Sequence, residues 1–183
     1  MKTVKLAFVL LLVQCFCGFS EEEERDLPQK ATIEVFFSPK GGCAKAIIEQ
    51  INKAKESIFV QAYSFTSQSI AQALRNASKD NVKIQVVLDK SNKDAKYSVA
   101  DYLSANMTTL IDARHQIAHN KIMIIDSKII ITGSFNFTKS AEEGNAENLL
   151  IINSPELAKK YIENWNKHAE HSVPFVKKEE LPQ

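Results

Sequence analysis

Apolar residues along this chain fall into short continuous runs separated by stretches in which they recur every three or four positions. The runs Thr32–Phe37, Ser57–Tyr63, Val82–Leu88 and Glu147–Ile152 predict strands, Ile122–Ile125 and Ile129–Ile131 two buried ones, and Thr109–Asp112 a further short strand. Between them, Ala44, Ile47, Ile48, Ile51 and Ala54 mark one helix face, and Ile70, Ala71, Leu74 and Ala77 mark another, which Ser67 can cap. Leu157, Ala158, Tyr161, Ile162 and Trp165 form the stripe of a last amphipathic helix, opened by Ser154 at the cap and Pro155 at the first helical position. A short helix is expected over Tyr97–Ala105, and a turn with a little helix over Phe137–Gly144. Strands alternating with helices indicate an α/β fold, a mixed β-sheet flanked by helices on both faces.

The ends follow a different pattern. Lys2 and Lys5 precede an apolar run from Leu6 to Phe19 that closes on small residues before the acidic block Glu21–Glu24, which is the arrangement of a secretory signal peptide cut near Ser20. The run is shorter than the roughly 20 residues a membrane-spanning helix needs. Residues 1–20 are therefore expected to be a signal peptide, 21–31 a solvated leader, 32–171 one catalytic domain and 172–183 a loose tail. Export to a periplasm or the exterior follows.

Removing the signal takes away Lys2 and Lys5 and no acid, so the formal charge moves from +1 to −1. A chain of that charge has no global basic field, and a polyanion would have to be held by a local patch. Cys15 and Cys17 leave with the signal, and the remaining Cys43, near an apolar helix face, reads as a buried thiol. Trp165, Phe36, Phe59 and Phe65 read as core. Phe135 and Phe137 do too, although their position beside the polar cluster would also let them touch a base or an acyl chain. The lysines at 90, 93 and 96 belong either to a solvated loop or to one that steers phosphate.

Chemistry concentrates in His119–Asn136. A strand through His119 sets His119, Lys121 and Met123 on one side and Asn120, Ile122 and Ile124 on the other, so an imidazole and an ammonium project together. A neighbouring strand adds Gly133, Ser134 and Asn136, a tight turn, a hydroxyl and an amide. This set suits a phosphate. The spacing is H-x-K, four residues, Asp126, six residues, then G-S-x-N.

That complete spacing resembles the HKD motif of the phospholipase D superfamily. The segments Ala62–Thr66 and Gly133–Lys139, with Asn145, Glu147 and Asn148, are similar to its single-motif branch, of which the bacterial endonuclease Nuc is an example. The resemblance implies a phosphodiesterase that works through a phosphohistidine, with His119, Lys121, Ser134 and Asn136 at the phosphate and Glu147 orienting His119. Asp126 and Gly133 are motif residues expected to hold backbone rather than to react. An imidazole nucleophile needs a second imidazole as general acid, and His115, His168 and His171 lack the motif's companions; His115 reads as a surface loop residue. The expected functional unit is thus a homodimer with a shared active site. No cofactor is expected, because no Asp/Glu/His group with metal-ligand spacing stands out and the mechanism needs no Lewis acid. A nonspecific endonuclease acting on nucleic acid ranks first, a phospholipase D acting on phospholipid second, and a noncatalytic phosphate-binding protein third.

Overall fold

The computed structural model describes residues 31–177. The expected signal peptide, nearly all of the leader, and residues 178–183 lie outside them. Eight strands form one mixed sheet in the order β1-β7-β6-β5-β2-β3-β4-β8. The strands are β1 Thr32–Ser38, β2 Ser57–Ala62, β3 Lys83–Asp89, β4 Thr108–Asp112, β5 Lys121–Ile125, β6 Ile129–Gly133, β7 Glu147–Asn153 and β8 Val173–Pro174. β2, β3 and β4 run parallel, and the remaining neighbours are antiparallel.

Alternation along the strands divides the core in two. Ile58, Val60, Met123, Ile125, Ile131 and Leu149 pack on the side covered by α1 (Cys43–Lys53) and α2 (Gln68–Lys79). Val87, Ile122, Ile124, Ile130 and Ile152 face the long α5 (Pro155–His171), where Trp165 packs against Phe59 and donates from Nε1 to the Val60 carbonyl at 2.9 Å. Helices thus cover both faces. Cys43 is fully buried at the start of α1, and burial, helped by the charge of Glu142, pushes its thiol pKa up.

The caps lie where the sequence places them. Ser67 accepts from the Ile70 amide, and Ser154 from the Leu157 amide ahead of Pro155. Helix α1 begins at a left-handed Gly42 with no cap of its own, and a residue far along the chain supplies one. Glu142, on the short α4 (Lys139–Glu143), accepts from the Gly42 and Ala44 amides at 3.0 and 2.8 Å, placing a carboxylate where the helix dipole favours it.

Three elements differ from expectation. The helix near 100 is only α3, Ala100–Ser104, because the residues from Ala95 form turns. The lysine loop is a 3-10 turn over Lys90–Lys93 built around buried Asn92, whose amide bonds the Phe65 amide and the Tyr63 and Asp89 carbonyls. The chain beyond Ser172 continues the sheet, with Val173 and Pro174 paired to Ile111 and Leu110.

Candidate active site

The C-terminal ends of β2, β3, β4 and β6 and the N-terminal end of β5 meet at one edge of the sheet. Their register sets the side chains there. Lys121 opens β5 opposite Ala62, while His119 lies two residues earlier, in the loop that enters the strand. Lys121 is 7% exposed, its Nζ donates to the His119 carbonyl at 2.7 Å, and it sits 5.0 Å from the centre of the Tyr63 ring. Burial lowers the Lys121 pKa below the ordinary lysine value, and the charge of Glu147 opposes that shift. The His119 ring packs 4.5 Å from Tyr63, and the Tyr63 amide bonds the Asn120 carbonyl. Exposed His119 is therefore braced by an aromatic from the end of β2, a residue to which the sequence reading gave no role.

Gly133 closes β6 at φ +146°, and a Cβ there would lie 2.3 Å from the Asn148 carbonyl oxygen. Only glycine lets β6 come this close to β7. The contact leaves the Asn148 carbonyl accepting from both Ser134 and Phe135 amides, which turns the chain and delivers Ser134 and Asn136. Ser134 Oγ donates to Glu147 Oε2 at 2.6 Å and accepts from the Asn148 amide, and Asn145 Nδ2 donates to Glu147 Oε1 at 3.0 Å. In the single chain Glu147 is thus held by Ser134 and Asn145. Asn136 keeps a buried side-chain oxygen with no hydrogen-bond partner among the described residues. Its neighbours Phe135 and Phe137 are fully buried, and Phe137 stacks edge-on against Phe65 at 5.4 Å. They anchor the loop and are closed to a base or an acyl chain.

Asp126 stands at the other end of β5. It and Ser127 both have positive φ, as a tight hairpin turn between right-twisted strands requires. The Asp126 carboxylate accepts from the amides of Lys55, Glu56 and Ser57, the link into β2. Its contacts are to backbone, at the opposite end of β5 from His119.

Beside His119 a cleft of about 450 Å³ runs between β5, β6 and α5. His119, Lys121 and Gly133 line one wall and Lys160, Tyr161 and Asn164 the other. Lys160 and Asn164 were missed because they lie on the polar side of the α5 stripe, and Tyr161 because it reads as part of the stripe that packs on the sheet.

A profile of the cardiolipin synthase, phospholipase-D-like domain matches residues 47–169. The chain belongs to the phospholipase D superfamily. It is 43% identical over 148 residues to a phospholipase D of Rickettsia typhi, covering 80% of this chain and 72% of that one. Its fold matches Nuc, a phospholipase D family member from Salmonella typhimurium, with TM-score 0.77 and 33% identity over 81% of this chain and all of that one. NucT from Helicobacter pylori matches at TM-score 0.75 and 30% identity, covering 80% of this chain and all of that one. Members of this superfamily are phosphodiesterases, and so is this chain.

The remaining histidines are not scattered. Asp112, at the end of β4, is fully buried, and His115 Nδ1 and His168 Nδ1 lie 2.8 and 2.9 Å from its Oδ2. His171 Nε2 lies 3.3 Å from Oδ1. Burial pushes the Asp112 carboxyl up, but the hydrogen bonds from His168 and His115, with the His171 ring close by, outweigh it and hold the pKa well below the usual range. His115 is thus drawn into a cluster, which linear spacing hid because Asp112 and His168 are 56 residues apart.

Proposed function

We propose that this chain hydrolyses the phosphodiester of a phospholipid head group through a phosphohistidine on His119. The observation that carries the reading is the placing of His119, Lys121 and Gly133 in one open cleft, with Ser134 and Asn136 on the loop that leaves Gly133. The His119 imidazole attacks phosphorus and forms a P–N bond, while the alcohol leaves with a proton from a second imidazole. That second imidazole then deprotonates water, and the hydroxide displaces His119. Lys121 and Asn136 face the charge that builds on the nonbridging oxygens. Ser134 acts through its bond to Glu147, which keeps a carboxylate near Lys121. These steps involve no metal.

The second imidazole comes from a second copy of this chain. His115, His168 and His171 are gathered on Asp112, which supports assigning the acid to a partner's His119 across a twofold axis. The edge strand β1 offers a surface for that partner, with Ile33, Val35 and Phe37 on one face at 61%, 50% and 64% exposure. The apolar run before Ser20 supports export of the chain.

The phospholipid is placed ahead of nucleic acid, reversing the order read from sequence, because the Rickettsia typhi phospholipase D is more similar in sequence than Nuc and the formal charge is near zero. The fold likeness to Nuc favours a nuclease as the second reading. Phosphatidylcholine vesicles, RNA and plasmid DNA, each incubated with wild-type and His119→Ala protein, decide the matter. Choline release by the wild type alone supports the first reading, and cleavage of nucleic acid with vesicles untouched replaces it with the second. Sedimentation of the active species tests the dimer, which an active monomer would refute.

A further inference from the structure

The Asp112 cluster has no part in the chemistry above, and its composition sets it apart from an ordinary hydrogen-bonded histidine. Three imidazoles surround one buried carboxylate, their ring centres 4.7, 5.1 and 5.5 Å from one another. Three side chains able to take positive charge are thus crowded on a single negative one. His171 Nε2 is buried and has no hydrogen-bond partner among the described residues, although it points at Asp112. One ligand atom from each of the four residues falls within 4.8 Å of all the others. A tetrahedral ion with bonds of about 2.0–2.1 Å needs ligand atoms about 3.4 Å apart, so small side-chain rotations close the set. Three neutral nitrogens and one carboxylate oxygen match the ligand preference of zinc over that of calcium or magnesium, which favour oxygen.

We propose that Asp112, His115, His168 and His171 bind one zinc-type divalent ion that braces the fold. The ligands come from three places, the end of β4, the loop after it and the last turn of α5. An ion there ties the end of α5 to the sheet. It also fixes the near end of the loop that carries His119, where Lys90 already donates to the His115 carbonyl, while the far end is held by the Ala118 amide on Asp89 at 2.7 Å. The ion is structural, because all four protein ligands fill its coordination sphere and leave no open position for substrate. Its liganding also explains why three histidines near the phosphate-facing edge are withdrawn from acid–base work.

The test titrates the purified, chelator-stripped full chain with Zn²⁺ by calorimetry and with Co²⁺ by visible absorption. Expected are one ion per chain, the intense absorption of tetrahedral Co²⁺, and a melting temperature that rises with Zn²⁺. His115→Ala, which alters the most exposed ligand, and His171→Ala are each expected to weaken binding by more than about 100-fold, beyond the usual loss for an outer-shell partner. His119→Ala should bind as the wild type does. A wild-type chain that takes up no Zn²⁺ at micromolar concentration, or that binds equally after His115→Ala, overturns the proposal. So does loss of binding in His119→Ala, which would move the ion to the phosphate site. The wild-type titration decides the question even where a variant fails to fold.

Discussion

Replacing Asp126 isolates what the central motif acid contributes. The perturbation is Asp126→Ala, with Asp126→Asn as its conservative companion. In the folded chain the carboxylate accepts from three amides at 2.8–3.1 Å, of which Ser57 is partly buried and Lys55 and Glu56 face solvent. Loss of the Ser57 contact costs about 1 kcal/mol, and each solvent-facing one about 0.5 kcal/mol, because water replaces the partner there. Alanine also has to adopt φ near +51°, which costs about 1 kcal/mol more than for Asp. The total for alanine is about 3 kcal/mol. Asparagine tolerates the left-handed backbone and still offers one oxygen, so it should lose about 1 kcal/mol. Burial raises the Asp126 pKa, but the Glu56, Ser57 and Lys55 amides and then Lys128 lower it by more, so the folded value lies below the unfolded one. The charge's contribution is therefore fully present above the unfolded pKa near 4 and disappears as pH falls through the lower folded value. Urea unfolding at pH 7 and in steps below pH 4 measures both effects. A deficit under 1 kcal/mol for alanine at pH 7, or an asparagine deficit that does not shrink in acid, refutes the reasoning.

Other expectations concern the site and the core. Gly133→Ala forces a Cβ onto the Asn148 carbonyl and displaces Ser134, so activity should fall at least about 100-fold while far-UV circular dichroism stays native. Because burial lowers the Lys121 pKa, the pH–rate profile should turn down on its alkaline side before the ordinary lysine value, and Glu147→Gln, which removes the opposing charge, should move that limb lower still. An alkaline limb unmoved by Glu147→Gln would show that Lys121 does not set it. Trp165→Phe removes the bond to the Val60 carbonyl and part of the packing against Phe59, and should cost about 2 kcal/mol in urea unfolding with an unchanged m value.

Much of the sheet was legible because its central strands are largely buried and read as unbroken apolar runs, as Ile122–Ile125 and Ile129–Ile131 do. The grouping of His119, Lys121, Gly133 and Ser134 was legible because their spacing lies within one hairpin. What stayed hidden depends on contacts between distant segments. Val173–Pro174 is too short to carry a strand pattern, and it exists only because β4 presents a free edge. Asn92 looked like part of a solvated loop, yet its amide ties three backbone groups together. Tyr63, the α5 wall of the cleft and the Asp112 cluster each join residues whose proximity only the fold creates. Glu147 is the instructive case, since residue type and position were apparent but its partners were not.

The pairing of β1 has a bearing on how the chain is made. Among the described residues its only neighbour is β7, and Thr32 pairs with Asn153, so β1 waits for a strand made much later. Until β7 emerges, the Thr32–Ser38 ladder has no template, and its unpaired backbone is able to pair with another nascent copy. β2 and β3, in contrast, close on each other early and with a local connection. Assembly therefore runs outward from the middle of the sheet, and β1 is a latch that can shut only once β7 is made, a point at which slow synthesis or a holding chaperone would change the yield of native protein.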